Sequence, residues 1–402
     1  MGKGLGIKRT AQDEAGGKAL DLHLAIEEFY KEFPDHQATT FILNHQAFDE
    51  GVAAVAHYVE KVASLTEKFP GAKISSAKSL AAGLFGGKLP ASVNISDKMF
   101  NGKDVTEIYG RFVIPAGDEF SARLLKSIFV SNDPVDNNRY PVMQDKFNNT
   151  EMWQRYVLDH ELGHALLMKG IDKQQVKSVS FTNKAECEAD AYAIIRHFQR
   201  YGADSEFPAY IRDLRTMNAV QKTDIGHWTA RAIDRVIDMN AQGKIIALTP
   251  AQSRDLAASI ARETALSADA EENMKAAFSK TRALYFPSKN NFLPSGDRLM
   301  NVISEACALG ATTQSPAVLE CARAYLAMVE KYLPRDLSTR LSTNDLQQAR
   351  DNKRKMKGRT LTAEPVVEGL GRIFRDAMLD AQRGKTGATS PGPNKKANKP
   401  EM

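Results

Sequence analysis

Two histidines and a glutamate stand close together at residues 160–164, in the pattern His-Glu-x-x-His. In a helix, a spacing of four places His160 and His164 on one face about one turn apart, so both imidazoles can bind one zinc ion. Glu161 then lies beside the metal without ligating it, and its carboxylate can pass a proton from an activated water to a leaving amine. The pattern predicts a zinc-dependent hydrolytic site.

A zinc peptidase site needs a third protein ligand and leaves a fourth position open. The string ECEAD begins at Glu186, 22 residues after His164, in a segment with strong helical character over residues 185–200. Glu186 and Asp190 are four residues apart and share a helix face. One of these carboxylates can bind zinc while the other accepts a hydrogen bond from a ligand histidine. Glu188 points elsewhere and is the weaker ligand candidate.

Together the two motifs resemble the gluzincin metallopeptidases, in which H-E-x-x-H on one helix is completed by E-x-x-x-D on a following helix. Residues 186–193 (ECEADAYA) are most similar to the ExxAD segment of the CAAX-prenyl-protease and HtpX-like branch. The similarity covers about residues 153–195. It implies a zincin-like catalytic core, zinc ligation by His160, His164 and Glu186, and Glu161 as the general base.

The resemblance also implies that Asp190 orients a ligand histidine, with His160 the expected partner. The membrane helices of that branch have no counterpart in this sequence. Its membrane-embedded setting and its prenylated substrates are therefore not carried over.

Hydrolysis also needs a group that stabilises the oxyanion of the tetrahedral intermediate. His227 is the best candidate, in the string TDIGHW at residues 223–228, which is typical of a capped helix start. A histidine that faces solvent or packs in the core is an equally good interpretation of this residue.

The ligand assignments have structural alternatives. His160 and His164 could be a buried pair of structural histidines, and Glu186 could be the capping-box partner of Asn183. Cys187 points away from the neighbouring ligand by about 100° around the helix, which favours a buried thiol over a metal ligand.

Helical signals flank both motifs. Asn148 and Glu151 have capping-box spacing, an apolar stripe runs from Trp153 to Met168, and Gly170 supplies a stop. Strand signals are confined to residues 106–114, 127–130 and, more weakly, 176–181. The predicted class is α+β, predominantly helical, with a zincin-like catalytic core and a small sheet flanked by helical regions.

Four regions are expected along the chain. They are an N-terminal helical region (1–95), a zincin-like catalytic domain (96–245), a C-terminal helical region (246–382) and a disordered basic tail (383–402). The tail contains no Leu, Ile, Val or aromatic residue with which to build a core.

The net charge of +5 is unevenly placed, because residues 1–10, 350–359 and 383–402 all carry a basic surplus. The remainder of the chain is therefore net acidic. The basic runs support one alternative from another class, a non-enzymatic metal-stabilised regulatory or nucleic-acid-associated protein. Glu161 argues against this alternative, since a structural metal site needs no general base.

The expected molecule is a soluble zinc-dependent endopeptidase that acts on a protein or peptide substrate, with Zn²⁺ as its cofactor. No apolar run approaches the roughly 20 residues of a membrane helix. The sequence begins with no secretory signal pattern, and three scattered cysteines fit a reducing compartment. The expected location is the cytoplasm, or outside the cell after export without a cleavable signal.

Overall fold

The computed structural model describes residues 19–63, 77–86, 90–96, 108–117, 149–167, 179–285 and 295–332. Most of these residues are helical, and the described strands form one three-stranded sheet. This confirms the prediction of a predominantly helical α+β chain with a small sheet. No helix within the described ranges is both long and apolar enough to cross a bilayer.

The described helices and strands follow one another in chain order. They are α1 (Leu22–Glu32), β1 (Thr40–Ile42), α2 (Phe48–Ala63), α3 (Ala77–Gly86), β2 (Ala91–Ser96), β3 (Ile108–Ile114), α4 (Thr150–Leu167), α5 (Val179–Tyr201), α6 (Phe207–Lys222), α7 (Ala230–Ala241), α8 (Pro250–Thr264), α9 (Ala268–Tyr285), α10 (Ser295–Thr312) and α11 (Pro316–Tyr332).

The chain divides into two compact units. The first contains Met1–Asn132, Arg139–Ala219 and Asp224–Glu272, and therefore all of the predicted site residues. The second contains Asp133–Asn138, Val220–Thr223 and Asn273–Met402. In the second unit, α10 buries Val302, Ile303 and Ala306.

The sheet has β3 at its centre, with β1 parallel on one side and β2 antiparallel on the other. Phe41 of β1 and Phe112 of β3 pack with Val55 of α2 in one apolar cluster. The strand expected at residues 106–114 is therefore confirmed as β3, and the segment 127–130 lies outside the described residues.

Three sequence predictions of local structure are wrong. Strands β1 and β2 fall in a region expected to be helical, because runs of three and six residues carry too little periodicity to identify them. The weak strand signal at 176–181 runs into helix α5 from Val179 onward. A short alternating run does not distinguish a strand from the first turn of a helix.

The cap of α4 also differs from the prediction by one residue. The helix begins at Thr150, and the Oδ1 atom of Asn149 accepts a hydrogen bond from the Met152 amide at 3.0 Å. This pairing is the usual N-cap geometry, so Asn149 is the cap in place of the predicted Asn148–Glu151 box. Asn148, Met168 and Gly170 lie outside the described residues.

Candidate metal centre

Helices α4 and α5 carry the two sequence motifs and pack directly against each other. Trp153, Tyr156 and Val157 of α4 are buried, as the predicted apolar stripe requires. Trp153 also makes an edge-to-face contact with Phe207 of α6, with the ring centroids 4.9 Å apart. This packing fixes the orientation of α4, and with it the directions in which its histidines project.

The structure brings His160, His164 and Glu186 together. One possible ligand atom from each residue lies within 4.8 Å of the other two. The Nε2 atom of His160 is 3.2 Å from Glu186 Oε2, and that of His164 is 3.6 Å from Glu186 Oε1. Ligand atoms around a tetrahedral zinc ion are separated by about 3.3 Å, given zinc–ligand bonds of about 2.0–2.1 Å. The spacing of these side chains therefore suits one zinc ion.

The chemistry of the three donors also fits zinc. Two imidazole nitrogens and one carboxylate oxygen form a donor set typical of catalytic zinc. Glu186 Oε2 is buried and accepts no hydrogen bond of acceptable geometry. Leaving a buried carboxylate oxygen in this state is costly, and a cation between Glu186 and the histidines would remove the cost.

Asp190 lies behind the three residues and is fully buried. Its Oδ1 atom accepts hydrogen bonds from His160 Nδ1 at 2.7 Å and from the Tyr156 hydroxyl at 2.7 Å. Arg215 donates to both carboxylate oxygens, through Nε at 2.8 Å and Nη2 at 2.9 Å. The Thr229 hydroxyl also donates to Oδ2.

This hydrogen bonding sets the state of His160. Burial alone would raise the pKa of Asp190, but Arg215 and His160 lower that pKa well below its usual range. An ionised carboxylate only accepts hydrogen bonds, so His160 Nδ1 is the donor. The Nε2 atom of the same ring is therefore directed at Glu186 and is the atom available to a metal.

The carboxylates around His160 favour a positive charge at this site. Burial by itself would lower the pKa of His160, but the carboxylates of Asp190 and Glu186 raise it to about 10. The histidines in turn lower the pKa of Glu186 well below its usual range, against the effect of burial. The carboxylates therefore stabilise a positive charge between them, and a metal cation would take its place.

Glu161 is buried next to His160 on α4. Arg111 of β3, a strand that contacts α4, is close enough to interact electrostatically with this carboxylate. Burial lowers the pKa of Arg111 to about 10, while Glu161 opposes that decrease. The sequence analysis missed Arg111, although a single arginine within the apolar string IYGRFVI is an unusual feature.

His227 stands beside the three candidate ligands and is partly exposed. Its Nε2 atom is 3.5 Å from Glu186 Oε2, and its Nδ1 atom is 2.7 Å from Asp224 Oδ1. Burial by itself would lower the pKa of His227, but the hydrogen bond with Asp224 and the charge of Glu186 together raise it. Among the described residues, His227 does not belong to the group whose ligand atoms all lie within 4.8 Å of one another.

The predicted helix start around His227 is wrong. Helix α7 begins at Ala230, and the residues before it form a turn at Gly226 and His227. Aspartate and threonine side chains stabilise turns as readily as helix starts, so the sequence signal was ambiguous.

Three further residues of α5, Asn183, Cys187 and Glu188, also entered the sequence predictions. The capping role proposed for Asn183 is wrong, because Asn183 lies inside α5 and its side chain contacts residues 225–228. Cys187 is buried, as predicted, and its thiol lies 3.7 Å from Asn183 Oδ1. Burial raises the pKa of Glu188, which lies away from the three candidate ligands, to about 7.

Sequence reasoning also missed Arg215, Thr229 and Asp224. Arg215 and Thr229 lie 25 and 39 residues from Asp190, which both of them contact, so no local spacing connects them to it. Asp224 is the exception, since it is three residues from His227 and could have been paired with it.

The arrangement combines two nitrogen donors, one oxygen donor, an adjacent carboxylate and a histidine–aspartate pair. Such a set can hold a cation, move a proton and donate to a developing negative charge.

Comparisons with protein-family models, curated proteins and solved structures find no match to this chain.

Proposed function

We propose that this protein is a zinc-dependent peptidase that hydrolyses peptide bonds of a protein or peptide substrate. The observation that carries the proposal is the spacing of His160, His164 and Glu186, whose ligand atoms lie within 4.8 Å of one another. Glu161 and the hydrogen bond from His160 to Asp190 complete the resemblance to gluzincins. We accordingly propose a zincin-like core within residues 96–245.

A zinc ion held by His160, His164 and Glu186 would supply Lewis-acid activation of water and of the scissile carbonyl. Glu161 takes a proton from the attacking water and delivers it to the leaving amine. The burial of Glu161 limits competition from bulk water for these proton transfers. Asp190 keeps the Nε2 atom of His160 directed at the metal position by holding the ring through Nδ1.

His227 is the proposed donor to the oxyanion. Asp224 accepts the Nδ1 hydrogen bond at 2.7 Å, which leaves Nε2 facing the Glu186 carboxylate. A protonated His227 would donate from Nε2 to the negative oxygen of the tetrahedral intermediate. Removing one such donor typically costs about 10²–10³ in kcat.

The experiment is cleavage of complex peptide pools, read by mass spectrometry, with zinc-loaded wild type and Glu161→Gln. We expect new termini with the wild type, and a rate lower by about 10²–10⁴ in Glu161→Gln at equal zinc content. Glu151→Gln is the matched control, because Glu151 is exposed in the first turn of the same helix. Equal cleavage by wild type and Glu161→Gln would refute the proposal.

The nucleic-acid alternative depends on the basic segments 350–359 and 383–402, which lie outside the described residues. It stays a prediction. Salt-dependent retention on DNA or RNA that disappears when residues 350–402 are deleted would support it.

A further inference from the structure

One buried amide joins the ligand helix to the turn that carries His227. The Nδ2 atom of Asn183 lies 3.4, 3.1 and 3.2 Å from the carbonyl oxygens of Ile225, Gly226 and Trp228. Its Oδ1 atom accepts from the Leu266 amide at 2.8 Å. A backbone amide can only donate and a carbonyl can only accept, so these partners fix the orientation of the Asn183 amide.

The three carbonyls belong to residues on both sides of His227. The same turn is attached to α5 at two further points. Thr229 donates to Asp190, and Gly226 lies so near Thr182 that an added Cβ would be 3.3 Å from its Cγ2 atom. The turn therefore rests on α5 along its length.

Helix α5 also supplies Glu186, one turn after Asn183. The 3.5 Å separation of His227 Nε2 from Glu186 Oε2 is consequently set by a single helix that holds both partners. We infer that Asn183 is a positioning residue for His227, which holds the 225–228 turn so that the imidazole faces the metal ligands. The role in catalysis rests on the function proposed above.

The position favours asparagine over similar side chains. An aspartate of the same shape would lose both amide hydrogens and would place a negative charge against three carbonyl oxygens. Asn183→Asp should therefore release the turn while it leaves His160, His164 and Glu186 in place. Asn240→Asp is the matched control, because Asn240 is also buried and donates from Nδ2 to the Ala203 carbonyl at 2.8 Å.

The first measurement needs no substrate. In protein labelled with ¹⁵N-histidine, the Nδ1–H signal of His227 is identified by its loss in His227→Gln. We expect this signal in wild type and Asn240→Asp, and its loss or a large shift in Asn183→Asp, with zinc affinity changed less than about threefold. An unchanged signal in folded Asn183→Asp would overturn the inference.

Gly226→Ala disturbs a second contact of the same turn with α5, that with Thr182, and covers the case in which Asn183→Asp does not fold. The added methyl group would be 3.3 Å from Thr182 Cγ2, so the turn and the Thr182 side chain must separate by a few tenths of an ångström. We expect a shift of the His227 Nδ1–H signal in the same direction, though smaller. An unchanged signal in Gly226→Ala contradicts the inference.

The second measurement uses peptide cleavage. We expect kcat to fall about 10- to 100-fold in Asn183→Asp with little change in KM, and no further fall when the substitution is added to His227→Gln. Additive losses would mean that Asn183 acts independently of His227, and would overturn its positioning role. Absence of cleavage by the wild type would refute the peptidase proposal, whereas the imidazole signal would still decide whether Asn183 positions His227.

Discussion

Gly163 of α4 lies directly against Ala189 of α5: a Cβ built on Gly163 would be 2.8 Å from Ala189 Cα and 3.2 Å from its carbonyl oxygen. Real Cβ atoms do not approach backbone atoms so closely. The backbones of the two helices are therefore in contact. On α4 the contact lies between His160 and His164, and on α5 it lies between Glu186 and Asp190. This contact allows short side chains from separate helices to meet around one ion.

Gly163→Ala should weaken zinc binding, because the added methyl group must separate the helices. We expect zinc affinity to fall at least tenfold and stability to fall by about 1–3 kcal/mol, the usual cost of overpacking. Chelator competition and thermal unfolding measure the two effects.

Gly83→Ala is the control for that substitution. Gly83 lies within α3, and nothing would contact a Cβ added there within 4 Å. Alanine should leave zinc affinity unchanged and stabilise the helix by up to about 1 kcal/mol. If Gly163→Ala behaved like Gly83→Ala, the close packing of α4 and α5 would not matter for the site.

Asp190→Asn should lower both stability and zinc affinity. The groups that contact Asp190 are donors, so an amide nitrogen at this position would face donors and leave Arg215 as a buried charge without its partner. We expect a loss of about 3–5 kcal/mol in the free energy of unfolding and about 10–100-fold in zinc affinity. Denaturant titration and metal competition provide the values.

Asp234→Asn is the matched comparison for Asp190→Asn. Asp234 pairs with Arg212 at 2.9 Å, but its side chain is 51% exposed. Its loss should cost no more than about 1 kcal/mol and should not alter zinc binding. Similar losses in the two variants would contradict the proposed role of Asp190.

Because His197 is buried, we expect the protein to lose stability at acid pH. His197 lies on α5, where its ring stacks on Phe207 with a centroid distance of 4.8 Å. Burial lowers the pKa of His197 to about 4, below the unfolded value of about 6.5. Because the folded pKa is the lower one, this contribution is present above pH 6.5 and is lost as the pH falls towards 4, by up to ~3 kcal/mol.

His197→Phe keeps a ring at this position and removes the titrating group. Denaturant unfolding between pH 7 and 4 should therefore show a smaller loss of stability in His197→Phe than in the wild type. His23→Gln, which removes a histidine whose side chain is 60% exposed, is the comparison for removing a histidine at the surface. Parallel curves for wild type and His197→Phe would count against the assignment.

The candidate metal site could be predicted in part, because four of its residues form two pairs that each span about one helical turn. His160 and His164 are four residues apart, as are Glu186 and Asp190, and helix geometry alone places each pair on one face. The meeting of the two pairs required the resemblance to a known family, since no local spacing determines how two helices pack.

The remainder of the site arises from long-range packing. Arg215 reaches Asp190 from α6, and Arg111 reaches the surroundings of Glu161 from β3, across separations that carry no periodic signal. The turn before α7 was misread because Thr and Asp favour both helix caps and turns. In the structure, the Asn183 side chain donates to carbonyls of this turn, a long-range contact that the local sequence does not reveal.

The most direct test of the central claim is the zinc affinity of Glu186→Gln compared with Glu188→Gln. The two glutamates lie two residues apart on α5, but only Glu186 is within reach of His160 and His164. We predict one zinc ion per chain in wild type and Glu188→Gln, and an affinity at least 100-fold lower in Glu186→Gln. Equal zinc binding by Glu186→Gln and the wild type would contradict the proposed metal centre.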